Sequence, residues 1–114
     1  MKKALITGIA GFAGSHLSEF LLSQEIEVFG FYLPGHSTEN VDHIKEKINY
    51  AKDEYDAVRG KDAILLVTEW AQFAELDFGR IKKLVKKPII LDGRNFLDSE
   101  KVKRAGFIHF KIGA

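Results

Sequence analysis

The sequence predicts a doubly wound α/β fold of three layers, a six-stranded parallel sheet in the order 3-2-1-4-5-6 between helices. Short apolar runs such as Ala4-Leu5-Ile6 and Ala63-Ile64-Leu65-Leu66-Val67-Thr68 are hydrophobic on both alternating faces, as strands buried on both sides are. Segments with helical spacing of apolar residues alternate with these runs, and glycines, prolines or capping residues punctuate the boundaries. Parallel neighbours need crossover connections, and those crossovers are right-handed. Two strand-helix-strand-helix-strand halves therefore meet between strands one and four.

Strand one, Ala4-Leu5-Ile6, ends at a glycine-rich turn. The first helix follows at once, with Ala13, Leu17, Phe20 and Leu21 spaced to share one face. Glu27 to Tyr32 reads as strand two, stopped by Leu33-Pro34-Gly35. Ser37 or Thr38 can then cap a helix bearing Val41, Ile44 and Ile48, and strand three falls at Ile48-Asn49-Tyr50-Ala51. Asp53 reads as the N-cap of a short helix holding Tyr55, Ala57 and Val58, closed by Gly60.

The run Ala63 to Thr68 is central strand four. Asp77 caps a helix with Phe78, Ile81, Leu84 and Val85 inward and Lys82, Lys83, Lys86 and Lys87 in its last turn, where cations suit the helix dipole. Pro88-Ile89-Ile90-Leu91 is strand five, Asp98 caps a helix that ends at Gly106, and Phe107 to Ile112 alternates as an edge strand.

Composition narrows the function classes. The 114 residues and an apolar share of 46% suit one domain, residues 1–114, and cannot hold two full catalytic domains. Seventeen basic against sixteen acidic residues leave a charge of +1, which argues against nucleic acid as a partner. There is no cysteine, so disulfides, thiolate metal sites and thiol nucleophiles are excluded. No apolar run reaches the length of a membrane helix, so no membrane partner and a cytoplasmic location are expected. His16, His36, His43 and His109 show no spacing to carboxylates that suggests a metal site, and no metal is expected.

The pattern Gly8-x-x-Gly11-x-x-Gly14 lies between a predicted strand and a predicted helix, the context that gives three glycines meaning. Gly8 can turn tightly, Gly11 lets backbone approach a pyrophosphate, and Gly14 allows the helix to pack close to the sheet; free N–H groups at the helix start then face the anion. With its neighbours Thr7-Gly8-Ile9-Ala10-Gly11-Phe12-Ala13-Gly14-Ser15-His16-Leu17, with Phe29 to Tyr32 and with Asn40 to Lys45, residues 1–49 resemble the Rossmann-like half of extended short-chain dehydrogenases/reductases, particularly nucleotide-sugar dehydratases and epimerases. That resemblance implies weak NAD or NADP binding through Gly8, Ala10, Gly11, Phe12, Ala13, Gly14 and Tyr32. Tyr32-Leu33-Pro34 stands where an acidic residue would hold the ribose of NAD, and the catalytic Tyr-x-x-x-Lys is missing, since Tyr50 is followed by Glu54 and Tyr55 by Arg59.

Residues 50–114 resemble a different family. Tyr55 to Trp70, Phe73, Glu75 to Phe78, Arg80-Ile81 and Lys87-Pro88-Ile89-Ile90-Leu91-Asp92-Gly93-Arg94-Asn95 look like the C-terminal domain of UDP-glucose 6-dehydrogenases. The resemblance implies a nucleotide contact by Arg94, whose guanidinium offers paired donors to phosphate; a surface ion pair of Arg94 with Asp92 or Glu100 is the simpler reading. The family's nucleophilic cysteine lies in another domain. Trp70 and Phe73 follow the central strand, where a Trp closing a core is commoner than one stacked on a base.

Two resemblances meeting near residue 50 lead to the expectation of a designed or recombined chimera. It would not be an enzyme, would require no cofactor, would retain at most weak dinucleotide binding, and would be a monomer or weak homodimer. Glu25, where a glycine usually follows a helix, fits such a design. The alternative is a binding module for NAD(P) or a UDP-sugar, and a reductase using groups such as Glu69 or His36 ranks below both.

Overall fold

Six parallel strands carry the chain: β1 (Lys3–Thr7), β2 (Glu27–Gly30), β3 (Ile48–Tyr50), β4 (Ala63–Leu66), β5 (Ile89–Asp92) and β6 (Ile108–Lys111). The helices are α1 (Phe12–Ser23), α2 (Glu54–Val58), α3 (Phe78–Leu84) and α4 (Ser99–Arg104). The computed structural model describes residues 2–7, 12–30, 47–51, 53–67, 76–93 and 97–111, with backbone alone at 12 and 13. The sheet order is β3-β2-β1-β4-β5-β6, as the sequence predicts.

Strand β1 sits between β2 and β4, pairing Leu5 with Phe29 on one side and with Ile64 on the other. Its Leu5 and Ile6 are fully buried on opposite faces, so each belongs to a different core. On one face Leu5, Ile64, Leu66 and Ile90 meet Ala57 and Val58 of α2, Phe78 and Ile81 of α3 and Val102 of α4. On the other, Ala4, Ile6, Val28 and Leu65 meet Leu17, Leu21 and Leu22 of α1. Helices thus cover both faces, which makes the three layers.

Local chemistry starts the short helices where the sequence places them. Asp53 accepts the Asp56 N–H at 2.7 Å, Asp77 the Arg80 N–H at 3.1 Å, and Asp98 those of Glu100 and Lys101 at 3.1 and 3.3 Å. Gly60 and Gly106 follow α2 and α4 with φ of 69° and 100°, the left-handed backbone that ends a helix cheaply only at glycine.

Three expectations change. Phe20 is 60% exposed, and the inner side of α1 instead carries Gly14, Ser15 and Ser18; Ser18 can be buried because its hydroxyl donates to the Gly14 carbonyl at 2.7 Å. Helix α3 ends at Leu84, so only Lys82 and Lys83 lie in its last turn, while the Lys86 and Lys87 N–H groups bond to the Lys61 carbonyl. Strand β5 runs one residue further than predicted, to the fully buried Asp92. The proposed helix bearing Val41 and Ile44, with its Ser37 or Thr38 cap, lies outside the described residues.

The end of α1 explains Glu25. The Ile26 N–H reaches the Leu21 carbonyl at 3.0 Å and the Glu25 N–H reaches Leu22 at 3.1 Å, the paired bonds of a Schellman turn. That turn requires a left-handed residue, and Glu25 adopts φ of 60°. Glu25→Gly is expected to raise unfolding free energy by about 0.5–1 kcal/mol, the relief of left-handed strain less the added chain entropy. Urea denaturation checks it, and an unchanged or lower midpoint contradicts it.

At the amino ends of the strands, Lys61 is buried with its ammonium 3.7 Å from the centre of the Phe29 ring and 3.0 Å from the Arg59 carbonyl. Burial pushes its pKa below the ordinary lysine range, nearby Lys3 adds to that, and Asp56 and Glu27 pull the other way. Between the lowered folded value and about 10.4 the unfolded chain binds the extra proton, so Lys61's contribution to stability grows as pH rises through that window. The stability difference between wild type and Lys61→Met should therefore shift toward wild type as pH rises through the alkaline range toward about 10.4. Paired denaturation curves read this directly, and a difference independent of pH contradicts it.

Candidate functional site

All six strands are parallel, so their carboxyl ends share one edge of the sheet. The strand order reverses between β1 and β4, and the carboxyl ends of such a pair are the place where open parallel sheets bind ligands. Thr7 closes β1 there. It is buried, and its hydroxyl accepts the Val67 N–H at 3.1 Å, tying the exits of β1 and β4 together.

Residues 8–11 link β1 to α1, which starts at Phe12. The strand, glycine segment and helix therefore occur in the predicted sequence order. Gly14 lies buried in the first turns of α1, on the side that packs over Ala4, Ile6 and Val28. Gly8, Ala10, Gly11 and Tyr32 lie outside the described residues, as do the side chains of Phe12 and Ala13. So do His36, His43, Glu69, Trp70, Phe73 and Arg94.

The next strand exit is built around a carboxylate. Gly93 donates its N–H to the Leu66 carbonyl at 2.9 Å, which extends the β4–β5 contact past the end of β5. The buried Asp92 Oδ2 accepts the Leu97 N–H at 2.9 Å and lies 3.2 Å from His109 Nε2 on β6. His109 Nδ1 is 3.2 Å from the Ser99 hydroxyl on α4. Both His109 and Asp92 side chains are wholly enclosed.

A carboxylate only accepts, so Nε2 carries a hydrogen toward Asp92, and Nδ1 shares its hydrogen bond with the Ser99 hydroxyl, which can serve as donor or acceptor. Asp92 is thus desolvated with hydrogen bonds in place, the condition under which a buried carboxylate is tolerable. Among the described residues no buried side-chain nitrogen or oxygen lacks a partner, and no three His, Cys, Asp or Glu side chains cluster as metal ligands.

Sequence reasoning missed this network. The residues are ten and seventeen positions apart, and they meet only because Ile90 pairs with His109 and Asp92 with Lys111. One signal was present at the entry to β6: Phe107 and, within the strand, His109 face inward, whereas Ile108 and Phe110, the more apolar pair, are 52% and 53% exposed. Glu100, one of the two carboxylates considered for Arg94, lies 3.4 Å from Arg104 on the exposed face of α4.

A parallel, doubly wound sheet in this order defines the Rossmann-like class of α/β domain. The profile of the UDP-glucose/GDP-mannose dehydrogenase family, UDP binding domain, matches residues 16–99, and the chain belongs to that family. It is 36% identical over 98 residues to a UDP-glucose 6-dehydrogenase of Rickettsia conorii, an alignment that takes in 84% of this chain and 22% of the relative. It is 41% identical over 77 residues to UDP-glucose 6-dehydrogenase of Drosophila melanogaster, taking in 67% of this chain and 16% of the relative. The Bacillus subtilis enzyme TuaD, also a UDP-glucose 6-dehydrogenase, is 38% identical over 68 residues, 60% of this chain and 15% of that protein. The chain spans about a fifth or less of these relatives.

The match corrects the functional expectation. It runs unbroken across residue 50, where two unrelated halves were expected to join, and includes most of α1 together with β2 and β3. The resemblance to the UDP-glucose dehydrogenase domain therefore holds over more of the chain than its motifs marked, and the designed, catalytically silent chimera is overturned. The physical reason is that strand, glycine turn and helix are demanded by every fold of this type, so they do not separate reductase from sugar dehydrogenase. No helix among the described residues is long and apolar enough to cross a membrane.

Proposed function

We propose that this chain is the part of a UDP-sugar dehydrogenase that holds the uridine diphosphate of the substrate, at the carboxyl ends of β1, β4 and β5. The observation that carries this reading is the unbroken family match from α1 to the start of α4, with relatives named UDP-glucose 6-dehydrogenase. Arg94 is the residue assigned to the diphosphate. It stands two positions beyond the end of β5, and a guanidinium offers a phosphate two parallel donors without ever losing its charge. Oxidation of the sugar belongs in this reading to the longer proteins, of which this chain spans about a fifth, and the chain itself has no cysteine to supply a thiol nucleophile.

A second reading places NAD or NADP at the glycine segment. It is supported by Gly8, Gly11 and Gly14 lying between β1 and the first turns of α1, and by the family match beginning only at His16. The chain has no acidic residue at Tyr32 to hold a ribose, so weak binding without preference between the two cofactors is the form this reading takes.

Separate titrations with UDP, UDP-glucose, NAD and NADP at millimolar concentration, followed by amide chemical shifts, decide between them. UDP and UDP-glucose should move Thr7, Val67, Gly93 and Leu97 in a saturable way, and Arg94→Ala should weaken both about tenfold or more, the loss of a charge-assisted phosphate contact. Saturable shifts at Gly8 to Gly14 with the dinucleotides alone would favour the second reading. No response to any of the four would remove both.

A further inference from the structure

Strand β6 ends the sheet, and one of its faces is uncovered. The helices that follow β3 all pack on the other side: Ala57 and Val58 of α2, Phe78 and Ile81 of α3 and Val102 of α4 share a core with Ile64, Leu66 and Ile90. Helix α1 covers the opposite side only over β1 to β4, through Ala4, Ile6, Val28, Ile48 and Leu65. Three of the five exposed large apolar side chains among the described residues are gathered on what is left: Leu91 of β5, with Ile108 and Phe110 of β6. Phe110 stands opposite Leu91 and Ile108 opposite the half-buried Ile89, so they form one apolar surface at the sheet edge.

The backbone of β6 is open in the same direction. The Ile108 N–H bonds to the Pro88 carbonyl at 2.7 Å, so the backbone groups of Ile108 and Phe110 point to β5. Alternation along the strand turns the N–H and C=O of His109 and Lys111 outward, past the last strand of the sheet. Outward backbone groups beside an apolar face are a template for another strand. Proline or a bulge usually blunts such an edge; β6 has neither, and keeps register with β5 from Ile108 to Lys111.

The strand that fits this edge is its own copy. Antiparallel pairing about a two-fold axis at His109 lets the two His109 residues exchange both N–H···O bonds, with the groups that already point outward. Ile108 then lies opposite Phe110 of the second copy, twice, in the pairs where side chains approach most closely, and a β-branched residue beside an aromatic one is a favoured cross-strand combination. Charge agrees with this register. Lys111 falls opposite Phe107 of the second copy rather than a second lysine, and a net charge of +1 leaves little repulsion between copies. We propose that the chain self-associates as a two-fold dimer through β6, joining two six-stranded sheets edge to edge. The central β1–β4 pair takes no part, so this inference stands apart from the UDP reading. A single four-residue strand makes a small interface, so the dimer is weak, with a dissociation constant of about 0.1–1 mM.

Analytical ultracentrifugation over about 0.01–2 mM covers that range and should show a reversible monomer–dimer equilibrium. Over the same concentrations, hydrogen exchange of the His109 amide should slow as dimer forms, while that of Tyr50 on the opposite edge strand stays constant. Ile108→Lys and Phe110→Glu should each weaken the dimer about tenfold or more, and Tyr50→Lys should leave it unchanged. In a one-to-one mixture of Ile108→Lys and Phe110→Glu the two new charges face each other across the axis, and the mixed dimer should return to within about threefold of wild type.

A wild type that stays monomeric at about 2 mM overturns the proposal and leaves the apolar face to a different protein, such as the remainder of a longer dehydrogenase. So does a dimer that neither β6 variant weakens, one that Tyr50→Lys abolishes, or one that the mixture fails to recover, because each denies the β6 register. Should a variant not fold, the wild-type exchange decides: His109 protection that does not change with concentration overturns the proposal.

Discussion

The parallel pairing of β1 with β4 is the constraint on which the rest of the molecule depends. Parallel neighbours cannot be joined by a tight turn, so the chain must leave β1, build β2 and β3 on one side, and return through α2 to lay β4 on the other. That return sets three things together. Leu5 and Ile6 become the shared centre of two cores, the carboxyl ends of all strands align on one edge, and the order reverses where Thr7 ties to Val67. The switch point is therefore a consequence of strand order rather than an addition to it.

Two buried ionisable sites sit at opposite ends of the sheet and are handled differently. At the amino end Lys61 rests on the Phe29 ring and one carbonyl, and desolvation is felt as a lowered pKa. At the carboxyl end Asp92 is met by a backbone N–H and an imidazole, each donating to its Oδ2. A desolvated carboxylate with directed donors is a rigid point. The aromatic and carbonyl setting of Lys61 is less directional, and it lies far from the strand exits, where stability rather than recognition is at issue.

Much of the fold was legible because it depends on short-range chemistry. Asp53, Asp77 and Asp98 could be read as helix caps from their immediate neighbours, and each accepts the backbone N–H expected of it. The strand order followed from alternation of strands and helices plus crossover handedness. Phe20 was misplaced because apolar spacing alone does not register that Ser18 can satisfy its hydroxyl on its own helix and take the inner position. The Asp92–His109 pair was illegible for a related reason: it exists only once two strands are in register, and no local pattern joins residues seventeen apart. Function was misread at the glycine segment, where a motif common to the whole architecture was taken as the mark of one family. The match over residues 16–99 carries the distinction that no single motif could.

The location of bound UDP tests the central claim, that strand order sets a diphosphate site at the carboxyl edge of the sheet. A crystal structure of the chain grown with UDP should show the diphosphate at the carboxyl ends of β1, β4 and β5, within hydrogen-bond distance of the Arg94 guanidinium. A diphosphate bound instead at the amino ends beside Lys3 and Lys61, or on the exposed sheet face formed by Leu91, Ile108 and Phe110, would contradict it.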